Sequence, residues 1–136
     1  MRDEKIIIPV QYCKSFYQWP DNWMGTDEDI EIGEKILMAI TPFIINLHNQ
    51  GLARKTIIKY MDNLWILGAQ IINEINDHDD KKYRKLKPEK LVLEFIHADG
   101  GPLPRVLELK NETSVKSYDS TCKKLFEFIK NPKITH

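Results

Sequence analysis

"NQGLARKTIIKYMDNLW", residues 49–65, holds a turn, a basic cluster and the opening of an amphipathic helix in one short stretch. Gly51 is a natural helix stop, because glycine takes the left-handed conformation that closes many helices. Beyond it, Ile57, Met61, Leu64, Trp65, Gly68, Ile71, Ile72 and Ile75 recur at spacings of three and four, the period of a helix with one buried face. The spacing predicts a helix from about Ala53 to about Asn76. Lys55, Lys59, Asp62, Gln70 and Asn73 fall on its outer face. Ile66 falls there too, either as an ordinary exposed apolar residue or as part of a surface that meets a partner.

Upstream of the turn, Thr26 with Asp29 three residues later resembles a helix start, and Asp27, Glu28, Asp29 and Glu31 place negative charge where a helix dipole favours it. Gly33, Ile36, Leu37, Ile40, Phe43, Ile44 and Leu47 then share one face. Pro42 interrupts this helix without shifting the phase of that face, which predicts a kink, with a new helix starting at Pro42 as the alternative. Downstream, a polar link turns from acidic to basic before Pro88, which suits the first turn of a further helix carrying Leu91, Val92, Phe95 and Ile96. "ADGGPLP", residues 98–104, ends it, and residues 103–112 stay unassigned. From about Ser114, Val115, Tyr118, Cys122, Leu125, Phe126 and Ile129 form a last stripe, with Lys116, Ser117, Ser120, Lys123 and Lys124 outside it and Asn131 and Pro132 as its stop.

The N-terminal stretch reads differently. "IIIPV", residues 6–10, has strand-forming side chains, but Pro9 removes a backbone donor, so an extended arm is expected. "FYQWPDNWMG", residues 16–25, is too irregular for a helix; its rings Phe16, Tyr17, Trp19 and Trp23 are expected to cover the core. An exposed docking patch is the alternative. The chain is thus expected to be an all-α bundle of four to five helices, with residues 1–25 as an extended aromatic arm packed on a single helical domain, residues 26–136.

Composition narrows the function. The length of 136 residues and a 42% hydrophobic content suit one domain with one core. Twenty basic residues balance twenty acidic ones, so the overall positive bias of many nucleic-acid binders is absent. The halves differ: residues 1–50 hold four basic and eight acidic side chains, and the remainder sixteen and twelve, so an anionic partner is expected to meet the second part. Cys13 and Cys122 stand far apart without a CxxC spacing, as expected for free thiols in a reducing cytoplasm. The N-terminus lacks a signal-peptide core, and no apolar run is long enough for a bilayer. A cytoplasmic protein is expected.

Enzyme motifs are lacking: there is no Gly-rich phosphate loop, HExxH or GxSxG. His78, Asp79 and Asp80 with His97 and Asp99 form the richest ligand-like grouping, but helix ends and polar loops gather these residues for capping, so no metal or cofactor is expected. The run Asp27 to Asp29 is likewise explained by a helix start. What remains is basic. Arg54, Lys55 and Thr56 fall in the first turn of the long helix, where free backbone N–H groups suit a phosphate, and Lys59 follows one turn later. The opposing reading is a solvated helix end, since cations at an N-terminus lie unfavourably in the dipole.

The segment "FIINLHNQGLARKTIIKYMDNLWILGAQI", residues 43–71, resembles the N-terminal core-binding domain of tyrosine recombinases, the phage integrases, in which a Gly-Leu turn leads into an Ala-x-Lys-Thr helix start. "SVKSYDSTCKKLFEFIKN", residues 114–131, is similar to the last helix of that domain. The resemblance covers about residues 42–132 and implies a SAM-like helical bundle that clasps DNA without catalysing. By position it implies DNA-facing roles for Arg54, Lys55, Thr56 and Lys59, and for Lys116, Lys123 and Lys124 on the last helix. The recombinase catalytic pattern is missing: the residues three after His48, His78 and His97 are Gly51, Lys81 and Gly100. The sequence departs from the family in its neutrality and in the acidic, aromatic stretch ahead of the match. The expectation is weak, salt-dependent, non-catalytic contact with duplex DNA. The alternative is a protein-interaction or self-association module using Ile66 and the Trp19 and Trp23 region.

Overall fold

Two long helices frame the chain. The computed structural model describes residues 2–23, 27–78, 81–102 and 112–130. Helix α3, Asp27–Asn49, and helix α4, Arg54–His78, are joined by the turn at Gly51, whose φ of 74° is the left-handed conformation expected there. The others are α1 (Arg2–Tyr12), α2 (Trp19–Trp23), α5 (Pro88–Leu93) and α6 (Glu112–Lys130), with 3-10 turns at Phe16–Gln18 and Lys81–Lys85. The chain is an all-α bundle, as its periodicity predicts. Thr26, the expected cap of α3, and the stop at Asn131 and Pro132 lie outside the described residues, as do positions 103–111.

The periodic faces meet in the core. Ile36, Leu37, Ile40, Phe43, Ile44 and Leu47 of α3 are buried against Ile57, Met61, Leu64, Ile71, Ile72 and Ile75 of α4. Pro88 opens α5, which contributes Leu91 and Val92, and α6 closes the bundle with Tyr118, Cys122 and Leu125. Two positions depart from the helical wheel. Trp65 keeps 39% of its surface exposed, while Leu67 is buried. The buried arc of α4 is therefore turned slightly towards Leu67, because α6 packs against that flank. Ile66 is half-buried and packs on the core's edge.

Three expectations are corrected. Residues 2–12 form helix α1 and not an extended arm: Ile8 is buried against the bundle, and tertiary burial outweighs the strand preference of the isoleucines. Pro9 sits inside this helix and is accommodated there. Helix α3 continues through Pro42 as the unshifted phase of its face predicts, and what is overturned there is the alternative of a new helix starting at that residue. The aromatic segment is two short helical turns instead of irregular chain. Three of its four rings do cover the core: Phe16, Trp19 and Trp23 are 0%, 3% and 7% exposed, which removes the Trp19 and Trp23 rings as a docking patch, whereas Tyr17 stays 37% exposed.

Polar groups tie the ends of the bundle. Lys35 of α3 donates to the carbonyls of Arg84 and Leu86, anchoring the basic 81–86 turn, and Arg84 pairs with Glu28. Buried Asp29 accepts from Asn76 Nδ2 at 3.1 Å, which joins the start of α3 to the end of α4. Among the described residues, no helix is long and apolar enough to cross a membrane.

Candidate functional site

Helix α6 runs back along α4. Asn63 of α4 meets Ser117 and Thr121, while Tyr60, a turn nearer the start of α4, and Phe128, two turns further along α6, both pack edge-on against Phe43. The antiparallel pair leaves an open cleft of about 360 Å³ between its outer flanks. One wall is Lys55, Thr56, Lys59, Tyr60 and Asn63, and the other is Ser117, Ser120 and Thr121. Neither wall carries a carboxylate.

The floor is a hydrogen-bond network. Asn63, 8% exposed, donates from Nδ2 to Thr121 Oγ1 at 2.9 Å, to Ser117 Oγ at 3.1 Å and to the Ser117 carbonyl at 3.2 Å. Thr121 Oγ1 in turn donates to the Ser117 carbonyl at 3.1 Å. A buried amide without partners would cost several kcal/mol, so this network both satisfies Asn63 and fixes the spacing of α4 and α6. Asn63→Ala is expected to lower stability by about 1–3 kcal/mol, because the polar atoms of Ser117 and Thr121 lose their donor. Urea unfolding of the variant measures this, and a loss below about 0.5 kcal/mol would mean water replaces the amide at no cost.

Of the residues expected to face DNA, Lys55, Thr56 and Lys59 line the cleft together. Lys116 and Lys124 are exposed on α6, one turn before and one turn after Ser120, and so flank the opposite wall at its two ends. Lys123 is exposed too and lies beside Lys116 on the helical wheel, about a sixth of a turn beyond Ser120. Arg54 is diverted: its guanidinium stacks 5.6 Å over the ring of Tyr12, whose hydroxyl is hydrogen-bonded to His48 Nδ1 at 2.6 Å. Arg54 therefore pins the end of α1 to the start of α4.

The backbone of that start is also partly committed. The Thr56 N–H donates to the Ala53 carbonyl at 3.0 Å, and the Ile57 N–H makes the first intrahelical bond to the same carbonyl at 3.1 Å, so one of the first-turn donors is taken. Beside the first-turn N–H groups of Arg54 and Lys55, the donors left for a ligand are side chains. Among the described residues the hydroxyls of Thr56, Tyr60 and Ser120 have no protein partner. Tyr60, Asn63 and Thr121 are additions to the sequence reading. Their signal was faint: an asparagine inside an apolar helix, and hydroxyls at positions 117, 120 and 121, one face of a helix.

Elsewhere, His97 Nδ1 accepts from the Asp99 N–H at 3.3 Å within a tight turn, which is a capping role. Asp79 and Asp80 lie outside the described residues. Comparison of the chain with protein-family models, with curated proteins and with solved structures finds no match.

Proposed function

We propose that this chain contacts duplex DNA without catalysing, through the flanks of α4 and α6, in the manner of the integrase core-binding domain that residues 43–71 and 114–131 resemble. The observation that carries the reading is the shared cleft: Lys55, Thr56 and Lys59 face Ser117 and Ser120 across a carboxylate-free groove, with Lys116 and Lys124 at its ends. Lysines placed this way neutralise phosphates, while hydroxyls fix position without reading sequence. Arg54 takes a structural role in this scheme, and Lys123 adds a further cation beside Lys116 on α6. Two free thiols, Cys13 and Cys122, suit the cytoplasm as the site of action.

Fluorescence anisotropy with a labelled generic duplex tests the proposal. Contact with three or four phosphates predicts that affinity falls roughly 40- to 150-fold between about 50 and about 200 mM salt. Lys55→Glu/Lys59→Glu is expected to abolish binding at the lower salt. Absence of binding by the unaltered protein at about 50 mM salt overturns the reading. The reading would then pass to protein interaction, with half-buried Ile66 and the exposed apolar side chains of Trp65, Met38, Ile7 and Tyr17 as candidate surface.

A further inference from the structure

The α4–α6 cleft has a donor set more specific than a basic surface. Lys55 and Lys59 supply two ammonium groups from one wall. Thr56 and Tyr60 on that wall and Ser120 on the other supply hydroxyls with no protein partner among the described residues. Ser117 Oγ accepts from Asn63, which leaves its own hydrogen free to donate. Among the described residues no acidic side chain lines the space, and Asp119, the carboxylate next to Ser120, is turned to Gly100 on another side of α6.

These donors are offered from two opposing helices and not from one strand or loop. A carboxylate is planar and is matched best by the planar fork of an arginine, and the nearby Arg54 is held away over Tyr12. A tetrahedral anion presents oxygens in several directions at once and is suited to lysines acting as point charges and to rotating hydroxyls. We infer that the cleft is a seat for a single phosphate group, held by Lys55 and Lys59 with the hydroxyls of Thr56, Tyr60, Ser117 and Ser120. The inference deepens the DNA reading and rests on it for the source of the phosphate, a backbone phosphodiester; a free or terminal phosphate monoester has the same oxygens. Asn63 does not bind the anion but holds the two walls at the spacing that admits it.

The test is an amide and side-chain NMR titration of the full chain with inorganic phosphate, with sodium acetate at matched ionic strength, and with a duplex. The seat predicts saturable shifts at Thr56, Tyr60, Ser117 and Ser120 with phosphate and little change with acetate. Thr56→Val and Ser120→Ala, which retain the charges and nearly the shape, are expected to weaken phosphate binding roughly tenfold each. Their folding is checked by unchanged spectra away from the cleft. Equal shifts with acetate, or full affinity in both variants, overturn the seat.

The duplex arm separates the two readings. Duplex binding that both variants retain in full would keep the DNA reading and remove the seat. Phosphate shifts without any duplex binding would keep the seat, assign it to a free phosphate monoester, and remove the DNA reading.

Discussion

Trp23→Ala is expected to lower the unfolding free energy by about 3–5 kcal/mol, the range for deleting a large buried aromatic side chain. Trp23 is 7% exposed, and its indole N–H donates to the Trp65 carbonyl at 3.1 Å. The ring is pressed on α4 at Gly68, where an added Cβ would lie 2.3 Å from Trp23 Cζ2. It also reaches α3, where a Cβ on Gly33 would lie 3.4 Å from its Cε3. One side chain therefore fastens the short helix α2 to both long helices. The reciprocal substitution, Gly68→Ala, is expected to cost about 1–3 kcal/mol by overpacking. In the Trp23→Ala background its sign should reverse, because the methyl enters vacated space and alanine favours the helix by up to about 1 kcal/mol. Urea unfolding of the four proteins in this cycle provides the check. A Gly68→Ala variant as stable as the parent would mean that Trp23 does not approach α4 this closely.

The same contact explains what the sequence could and could not convey. The apolar stripes of α3, α4 and α6 were legible because three- and four-residue spacings encode a buried face directly. The segment from Phe16 to Trp23 has no period, and its short turns exist because Trp19 and Trp23 fill the gap between α3 and α4. Gly68 read as one more position on the apolar stripe, whereas its function is to leave room for an indole forty-five residues away in sequence. Residues 2–12 were misread for a related reason. Ile6, Ile7, Ile8 and Pro9 locally favour extended chain, and the contact of α1 with α3 decides the matter against them. At the candidate site, the lysines were visible as a charge cluster. The cleft was not, since it needs α6 laid antiparallel on α4, a pairing set by Asn63 with Ser117 and Thr121. Arg54 shows the converse: its charge was legible, but its engagement with Tyr12 was not.

Alkaline conditions are expected to destabilise the chain by about 4 kcal/mol between pH 8 and pH 11, apart from any effect of its other groups. Burial pushes the Cys122 thiol from its ordinary 9.0 up to about 12, the nearby Asp119 charge adding to the rise and the Tyr118 hydrogen bond opposing it. Burial, reinforced by Cys122, also raises Tyr118 well above its ordinary 10.0. Both side chains are at most 1% exposed, so solvent screens neither. Above pH 9 the unfolded chain releases these protons while the folded chain keeps them, so the unfolded state gains and stability falls as pH rises. By about pH 8 neither group is appreciably ionised in either state and the effect vanishes.

Tyr118→Phe separates this linkage from general alkaline damage. At pH 8 the variant loses the hydrogen bond that Tyr118 donates to the Pro102 carbonyl at 2.7 Å, and about 1 kcal/mol with it. At pH 11 it no longer has a phenol to ionise on unfolding, which returns about 1 kcal/mol. The variant should therefore be the less stable protein at pH 8 and draw level at pH 11. Urea denaturation at the two pH values, followed by circular dichroism, measures the difference directly. A deficit that stays constant across that range would mean Tyr118 ionises as readily in the folded chain as in the unfolded one, and that the contact of α6 with the 97–102 turn is open to water.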